Sequence, residues 1–503
     1  MAKALMFVGT SSESGKSVMA AAFCRILKKR GLNVAPFKAQ NMALNSYVTR
    51  DGKEMGRAQV VQAEASGLEP DVDMNPILLK PSSEFGSQVI IQGVVHATMD
   101  AKSYYSMKKL LWKNVIESYD RLAGQYDCMI LEGAGSPVEM NLKDNDIVNM
   151  AMADYADARV ILVADIDRGG VFASILGTVD LLEQHERERL IGVIINKFRG
   201  DAALLRDGLS FIEQRTKKPV LGIVPFLKDL YIPGEDSVAL GRKTNLLSSD
   251  HSTCATIGIV RLPHISNYTD FDPLEADGRF QVSYLNAPRD LRDYDAVILP
   301  GSKNVFFDLK FLNESGFIHQ LLAYEDRGGR IVGICGGYQM LGTRIEDPYG
   351  VEDHAGETPG INLLPIYSIM EKSKITKRSC GLFNIPGTAD PIAVEGYEIH
   401  MGRTFPLCNA DIVFLRNDEA GDGSSDIARR DGRVWGTYLH GLFESDVLRT
   451  QFLKWITNAD TIENNQVFSY RAFKEQNYDI LAGVIEQQVN IAHIFNKMEI
   501  PYN

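Results

Sequence analysis

Residues 9–17 of this 503-residue chain read GTSSESGKS, directly after a short apolar run. The backbone N–H groups of a glycine-rich turn that leads into a helix form an anion site. In such phosphate loops the lysine reaches the outer phosphates and the next hydroxyl binds Mg²⁺. Five residues rather than the usual four separate the two glycines, so this loop is a variant. The alternative is a plain turn between a strand and a helix, which needs neither the lysine nor the serine. We expect a bound nucleotide to contact the following loop residues: Thr10, Gly15, Lys16 and Ser17.

Three more polar residues follow apolar segments that suit strands of the same sheet. Glu132 is expected to bind Mg²⁺ together with Ser17, because carboxylate and hydroxyl oxygens are ligands that this ion prefers. Asn196 is expected to read the base edge of the nucleotide, and Lys38 to add a cation at the same edge of the sheet. The alternatives are a helix-capping partner for Glu132, a plain turn for Asn196 and a solvated surface lysine for Lys38.

A second candidate site lies in residues 333–337, which read GICGG. This is the thiol form of the nucleophile elbow, in which small residues allow a tight strand-to-helix turn that presents the nucleophile. We predict Cys335 as the nucleophile, with an oxyanion hole built from the N–H of Gly336 and from the turn at Gly301. The alternative for a single cysteine is a buried small apolar side chain.

A thiol nucleophile needs a base, and His440 ends an apolar, strand-like stretch where a loop would hold it at the sheet edge. His400 is the second candidate; it could instead orient substrate or be a hydrogen-bonded core histidine. A Cys–His pair with an oxyanion hole performs acyl transfer, whereas a phosphate loop with Mg²⁺ uses ATP. One reaction class needs both, namely ATP-dependent amidation with ammonia released from glutamine.

Short apolar runs alternate with helical stretches along most of the chain, which predicts a doubly wound α/β sheet in the first half and a second α/β domain in the other. Nine of these runs are expected to be strands: 4–9, 34–37, 128–131, 160–163, 191–195, 220–224, 255–260, 296–299 and 331–334. We expect four segments: a synthetase domain over 1–230, a linker over 231–253, an amidotransferase domain over 254–447 and a helical tail over 448–503.

The composition excludes several classes of protein. Lys and Arg number 53 and Asp and Glu 65, so the net charge is −12, which provides no general attraction to nucleic acid or an anionic membrane. Six scattered cysteines and the absence of a signal-like or membrane-spanning apolar segment lead us to expect a reduced, cytoplasmic protein.

The motifs together resemble the cobyric acid synthase family, the glutamine-dependent amidotransferases of cobalamin biosynthesis. The first half is similar to dethiobiotin synthetase-type ATPases, which share the longer phosphate loop, and the second half to class I glutaminases. The resemblance is carried, in order along the chain, by residues 40–59, 73–81, 131–142, 163–174, 196–201, 261–274, 299–304, 333–342, 396–404 and 436–443.

The resemblance implies the substrates: glutamine, ATP and adenosylcobyrinic acid a,c-diamide, which is amidated at its b, d, e and g carboxylates. A polyanionic corrinoid requires local cations, because the chain as a whole is acidic. The candidate corrinoid contacts within the matching stretches are Arg57, Lys80, Arg168, Arg199, Asn41, Asn45 and Ser46.

Class I glutaminases usually place a glutamate two residues after the histidine, but this chain has Leu442 there and Glu444 two residues later. The resembled family likewise lacks that glutamate. We therefore predict a Cys–His dyad in which a backbone carbonyl or another side chain orients His440. Two alternatives stay open: cobyrinic acid a,c-diamide synthase, which has the same two-domain plan, and a phosphate-loop binding protein whose second domain is only a scaffold.

Overall fold

The computed structural model describes residues 2–81, 86–228, 230–233, 255–352, 355–387, 390–408, 411–416, 426–429, 431–458 and 468–501. The helices are α1 (Lys16–Lys29), α2 (Arg57–Ser66), α3 (Ala101–Ala123), α4 (Met150–Tyr155), α5 (Val171–Leu181), α6 (Gln184–Arg189), α7 (Arg206–Thr216), α8 (Asp272–Ala276), α9 (Val305–Ser315), α10 (Phe317–Asp326), α11 (Gly336–Met340), α12 (Asp446–Thr457), α13 (Tyr470–Gln488) and α14 (Ile491–Lys497).

The strands are β1 (Lys3–Gly9), β2 (Val34–Phe37), β3 (Gln40–Met42), β4 (Ser46–Val48), β5 (Glu54–Gly56), β6 (Ile77–Pro81), β7 (Gly86–Ile91), β8 (Val94–Asp100), β9 (Cys128–Glu132), β10 (Arg159–Asp165), β11 (Leu190–Phe198), β12 (Val220–Pro225), β13 (Ala255–Val260), β14 (Phe280–Leu285), β15 (Ala296–Leu299), β16 (Ile331–Ile334), β17 (Arg344–Asp347), β18 (Gly356–Pro359), β19 (Ile366–Phe383), β20 (Ile392–Pro406), β21 (Asp411–Arg416), β22 (Asp426–Ala428) and β23 (Val434–Thr437).

The chain forms two compact units. The first consists of Met1–Ala43, Glu54–Pro233 and Phe473–Asn503, and the second of Leu44–Lys53 and Gly234–Ala472. The predicted synthetase domain therefore lacks residues 44–53, which fold with the second unit. The predicted tail is divided, because α12 belongs to the second unit whereas residues 473–503 belong to the first. Most of the predicted linker, residues 234–253, lies outside the described residues.

The first unit is built on a six-stranded parallel sheet in the order β12–β11–β10–β1–β9–β2. Its strands are continuous apolar runs because helices cover both faces of such a sheet. Ala-rich α1 packs closely through Phe23, whose ring centroid lies 5.0 Å from that of Phe7 on β1. Helices α13 and α14 bury Leu481, Ile485 and Phe495 in the same core, which is why the end of the chain belongs to this unit.

The second unit has a larger sheet, in which β14–β13–β15–β16–β23 are parallel and β22, β21 and β19 continue it in antiparallel pairing. The long strands β19 and β20 pair with each other over most of their length. The parallel part carries the predicted nucleophile and base, because β16 ends just before Cys335 and β23 ends three residues before His440.

The predicted α/β fold class is confirmed, and each of the nine predicted strands lies within an observed strand. The antiparallel extension of the second sheet was missed. Its strands are not continuous apolar runs; in β19, for example, buried positions alternate with more exposed ones at both ends, and no position in the middle is buried. No helix among the described residues is long and apolar enough to cross a membrane.

Candidate active sites

The phosphate loop joins β1 to α1, as its sequence predicts. Gly15 has φ of 105°, and a Cβ there would lie 2.0 Å from Nδ2 of Asn196, so only glycine fits this turn. The Lys16 ammonium donates to the carbonyl oxygens of Ser11 (3.1 Å) and Gly135 (3.3 Å). Thr10 donates its N–H to the carbonyl of Val163 on β10, at 3.0 Å, which ties the start of the loop to the neighbouring strand.

Glu132, at the end of β9, is the centre of a buried polar cluster. Its Oε1 accepts hydrogen bonds from the Ser17 hydroxyl at 2.8 Å and from the Lys38 ammonium at 2.9 Å. Its Oε2 accepts from Nε2 of Gln62 at 2.5 Å. Glu132 and Lys38 are 1% and 4% exposed, so this ion pair is shielded from water, and a buried carboxylate requires such compensation.

The two predicted metal ligands are thus adjacent, with hydroxyl and carboxylate oxygens beside the phosphate loop. This set of hard oxygen donors fits Mg²⁺, which usually takes one or two protein ligands and completes its shell with water and phosphate oxygens. Lys38 contacts this cluster directly and is not a solvated surface lysine.

Asn196 contacts the phosphate loop. Its Nδ2 donates to the carbonyl of Ser14 at 2.9 Å, so in this structure its amide supports the loop backbone. The next residue, Lys197, donates to the carbonyl of Glu13 (2.6 Å) and to the Asp165 carboxylate (2.8 Å). Sequence reasoning assigned no role to Lys197 or Asp165, although both lie in the stretches 163–174 and 196–201 that carry the family resemblance.

The second unit presents Cys335 on a strained turn between β16 and α11, with φ of 51° and ψ of −109°. A non-glycine residue in this region is costly, and such strain is typical of a nucleophile elbow. The neighbouring glycines are required by space: a Cβ at Gly337 would lie 2.0 Å from the carbonyl oxygen of Leu299. The thiol is nearly buried and lies 3.7 Å from the carbonyl oxygen of Ile399.

The predicted oxyanion-hole glycines come from two loops that meet at this elbow. A Cβ on Gly336 would lie 2.8 Å from the backbone nitrogen of Ser302, and one on Gly301 would lie 3.5 Å from Cε1 of His440. The turn at 301–302 therefore contacts both the nucleophile elbow and the imidazole. The two loops that carry the predicted oxyanion-hole donors are therefore adjacent at the elbow.

His440 is oriented by a residue that the sequence analysis did not identify. Its Nδ1 lies 2.6 Å from Oδ2 of Asp270, and the other oxygen of this carboxylate accepts the N–H of Gly441 at 3.0 Å. Asp270 lies in a short 3₁₀ turn, Tyr268–Phe271, within the family-matching stretch 261–274. Another side chain, one of the two kinds of orienting group expected, therefore contacts His440, which makes Cys335, His440 and Asp270 candidates for a triad.

Electrostatics favour protonation of His440. Burial opposes the charged form, but the Asp270 carboxylate and the nearby Cys335 thiol outweigh it and raise the pKa of His440 to about 10. Nε2 of His440 has no hydrogen-bond partner among the described residues, although it is buried. An imidazolium next to a thiol stabilises the thiolate, which is the nucleophilic form.

Tyr397 packs against the imidazole ring of His440. Its ring is stacked on the imidazole at a centroid distance of 5.3 Å, and the two residues exchange both backbone N–H···O bonds. The Tyr397 hydroxyl in turn donates to the carbonyl of Ser46 at 3.2 Å, and the N–H of Ser46 donates to Oδ1 of Asn267 at 3.2 Å. Ser46, a predicted corrinoid contact, therefore supports both Tyr397 and the turn that carries Asp270.

His400, the second candidate base, is engaged elsewhere. Its Nδ1 lies 2.6 Å from the carbonyl oxygen of Gly402, its Nε2 lies 3.4 Å from Glu398, and its ring stacks on Tyr438 at 3.8 Å. The carboxylate that pairs with the base is that of Asp270 and not that of Glu444.

Three of the four predicted corrinoid-binding cations are paired with carboxylates of their own unit. Lys80 donates to Glu54 at 3.0 Å in a buried pair. Arg168 pairs with Glu13, and Arg199 pairs with Asp167 at 2.8 Å. The fourth, Arg57, is buried, and Asn41 donates to Oε1 of Gln59 at 3.0 Å. Asn45 is also buried, at 1% exposed.

The fold and the two sites define a glutamine amidotransferase joined to a nucleotide-binding domain, and comparison with known proteins agrees. Residues 256–448 match the CobB/CobQ-like glutamine amidotransferase domain, and residues 5–237 match the CobQ/CobB/MinD/ParA nucleotide binding domain. The chain belongs to the cobyric acid synthase family and is a glutamine-dependent amidating synthetase.

Curated relatives named cobyric acid synthase match over nearly the whole chain. The protein of Syntrophobacter fumaroxidans is 49% identical, with 98% of each chain covered. That of Caldanaerobacter subterraneus subsp. tengcongensis is 44% identical, with 99% of each covered. That of Parabacteroides distasonis is 45% identical, with 98% of each covered.

Proposed function

We propose that this protein amidates the b, d, e and g carboxylates of adenosylcobyrinic acid a,c-diamide with ammonia from glutamine, at the expense of ATP. The observation that carries the proposal is the match to cobyric acid synthases over at least 98% of the chain at 44–49% identity. The geometry of both sites supports it, because each half of the reaction has a suitable set of residues.

At the glutaminase site, the Cys335 thiolate attacks the side-chain amide carbon of glutamine. The developing oxyanion accepts hydrogen bonds from backbone N–H groups at Gly336 and Gly301. His440, protonated and held by Asp270, gives its proton to the departing nitrogen, so ammonia leaves and a thioester remains. Water, deprotonated by His440, then hydrolyses the thioester to glutamate and restores the thiol.

At the synthetase site, a substrate carboxylate oxygen attacks the γ-phosphorus of ATP, and ADP leaves. Ammonia then attacks the acyl phosphate carbon, phosphate departs, and an amide results. Lys16 binds the phosphates, while Ser17 and Glu132 would hold Mg²⁺, which when bound neutralises phosphate charge. Lys38 and Gln62 orient the Glu132 carboxylate by the hydrogen bonds described above, and Asn196 fixes the loop backbone.

The test supplies purified full-length protein with ATP, Mg²⁺ and glutamine, and either cobyrinic acid or adenosylcobyrinic acid a,c-diamide. We expect four successive amidations of the diamide, followed by mass spectrometry, with glutamate released in step. Reaction of cobyrinic acid alone, stopping after two amidations, would instead identify a cobyrinic acid a,c-diamide synthase. A phosphate-loop scaffold would release no glutamate and would be unaffected by Cys335→Ser.

We also place the protein in the cytoplasm. The described cysteines Cys24, Cys128, Cys335 and Cys408 are free thiols, which fits a reducing compartment.

A further inference from the structure

The first unit contains a cavity of about 560 Å³ that none of the predicted nucleotide-binding residues lines. This volume falls within the roughly 300–1,000 Å³ typical of small-molecule sites. Its wall is mostly apolar and aromatic and includes Met42, Leu79, Val89, Met99, Tyr104 and Tyr105. Met42 is 53% exposed, so it offers apolar surface to a ligand in the cavity.

The cavity adjoins the phosphate loop through the segment that follows β9. Ala134 and Ser136 line the cavity, and the carbonyl of Gly135 between them accepts from the Lys16 ammonium at 3.3 Å. Asn149, also in the wall, holds this segment by accepting from the N–H of Ala134 (3.1 Å) and donating to its carbonyl (2.8 Å). Two residues that line the cavity are therefore direct chain neighbours of Gly135, which contacts the lysine predicted to bind the outer phosphates.

The cavity has one lysine that is suited to an anionic ligand. Lys108 on α3 is 8% exposed, and its ammonium lies 4.9 Å from the ring centroid of Tyr105. Burial lowers the pKa of Lys108, with Asp146 opposing the shift, so a carboxylate partner would relieve an unfavourable desolvation. The other lysine in the wall, Lys143, is already paired with Glu183 and Glu186.

The acidic residues of the wall have other partners or face solvent. Asp100 accepts the N–H of Ser103 as the cap of α3. Asp146 accepts the backbone N–H groups of Val148, Asn149 and Ala151. Glu139 is exposed. Among the described residues, none of these three carboxylates lies within ion-pair distance of Lys108, although the charge of Asp146 acts on it, so a ligand carboxylate would give it a direct partner.

We propose that this cavity seats the apolar face of the corrinoid macrocycle, with Lys108 pairing with one of its peripheral carboxylates. The inference depends on the proposed function, because it assigns the seat of that substrate. Four carboxylates must reach one phosphoryl donor in turn, so the ring has to bind in several orientations. An apolar wall with one lysine that has no carboxylate partner among the described residues permits this, whereas a set of fixed ion pairs would favour one orientation.

The experiment measures KM for corrinoid, ATP and glutamine with the full chain. Lys108→Gln removes the charge, and Ala101→Trp, at an exposed position of the cavity wall, fills the space. The matched control is Lys113→Gln on the same helix, whose side chain is 74% exposed. We expect about a tenfold higher KM for corrinoid in each cavity variant, the effect of losing roughly 1.4 kcal/mol of binding, and less than a twofold change for ATP, for glutamine and in the control.

The outcomes separate the two proposals. If wild-type protein amidates the diamide but both cavity variants keep its KM, the seat is overturned and the proposed function stands. If only Ala101→Trp raises this KM, the cavity is supported and the role of Lys108 is overturned. An equal rise in KM for ATP would indicate damage to the nucleotide site and would also overturn the assignment. If wild-type protein amidates no corrinoid, both proposals fail.

Discussion

Asp270→Asn should disable the glutaminase while it leaves the synthetase intact. The Asp270 carboxylate accepts the Nδ1 proton of His440, so Nε2 is left to exchange a proton with the reacting groups. An asparagine amide has the same shape but can donate its N–H to Nδ1. The imidazole would then carry its proton on Nε2 and could not act as a base toward the Cys335 thiol.

The magnitude follows from the distance and the burial. Two unit charges 2.6 Å apart attract by about 6 kcal/mol at an effective dielectric constant of about 20. Removing one partner of a buried ion pair costs about 3–5 kcal/mol in measured cases. We use this range because it lies below the Coulomb value. Each roughly 1.4 kcal/mol is a factor of ten in rate. We therefore expect kcat/KM for glutamine hydrolysis to fall about 10²–10⁴-fold.

The assay follows glutamate release and, separately, ATP hydrolysis with ammonium chloride replacing glutamine. Asp270→Asn should lose the first and keep the second. Glu444→Gln is the control, because Asp270 and not Glu444 contacts the histidine, and it should stay within threefold of wild type. Glutamine hydrolysis at more than a third of the wild-type rate in Asp270→Asn, with a folded protein, would refute the triad. So would a large loss in Glu444→Gln.

Three further predictions follow from the same contacts. Cys335→Ala should abolish amidation with glutamine, whereas added ammonia should restore amidation to near the wild-type rate. The mass of the corrinoid product measures both rates. No rescue at high ammonia would mean that the two activities are inseparable. Asn196→Ala removes the hydrogen bond to the Ser14 carbonyl and should raise KM for ATP about tenfold, or roughly 1.4 kcal/mol. The rate of glutamine hydrolysis should not change. An unaltered KM for ATP would show that the phosphate loop does not need this hydrogen bond. His440 has its pKa raised in the folded state, so its stabilising effect is complete below its unfolded pKa of about 6.5 and is lost as the pH rises through its folded value of about 10. The advantage in melting temperature of wild type over His440→Gln should therefore shrink between pH 7 and pH 10, and a constant difference would contradict the raised pKa.

The local patterns of the sequence were sufficient for the parallel cores of both units and for the positions of the phosphate loop and the elbow. Buried parallel strands are uninterrupted apolar runs, and both loops require glycine at fixed places, so each signal is contained within a few neighbouring residues. Cys335 and His440 were predicted for the same reason, because Cys335 follows directly on such a strand and His440 lies three residues beyond the end of one.

Asp270 was found only in the structure, although its stretch was recognised as characteristic. It lies 170 residues before His440 along the chain, on a short turn with no apolar period, and nothing local distinguishes it from the neighbouring Asp272. The division of the chain into units was likewise decided in three dimensions, because the apolar faces of α13 and α14 fit the core of the first unit.

The sequence by itself determined which chemical groups are present and which strand end carries each one, because these depend on backbone geometry over a few residues. The tertiary structure decided their partners. It paired Glu132 with Ser17 and Lys38, His440 with Asp270, and Ser46 with Tyr397. Such pairings join residues far apart in the chain, and burial makes each polar group find a partner wherever the folded core supplies one.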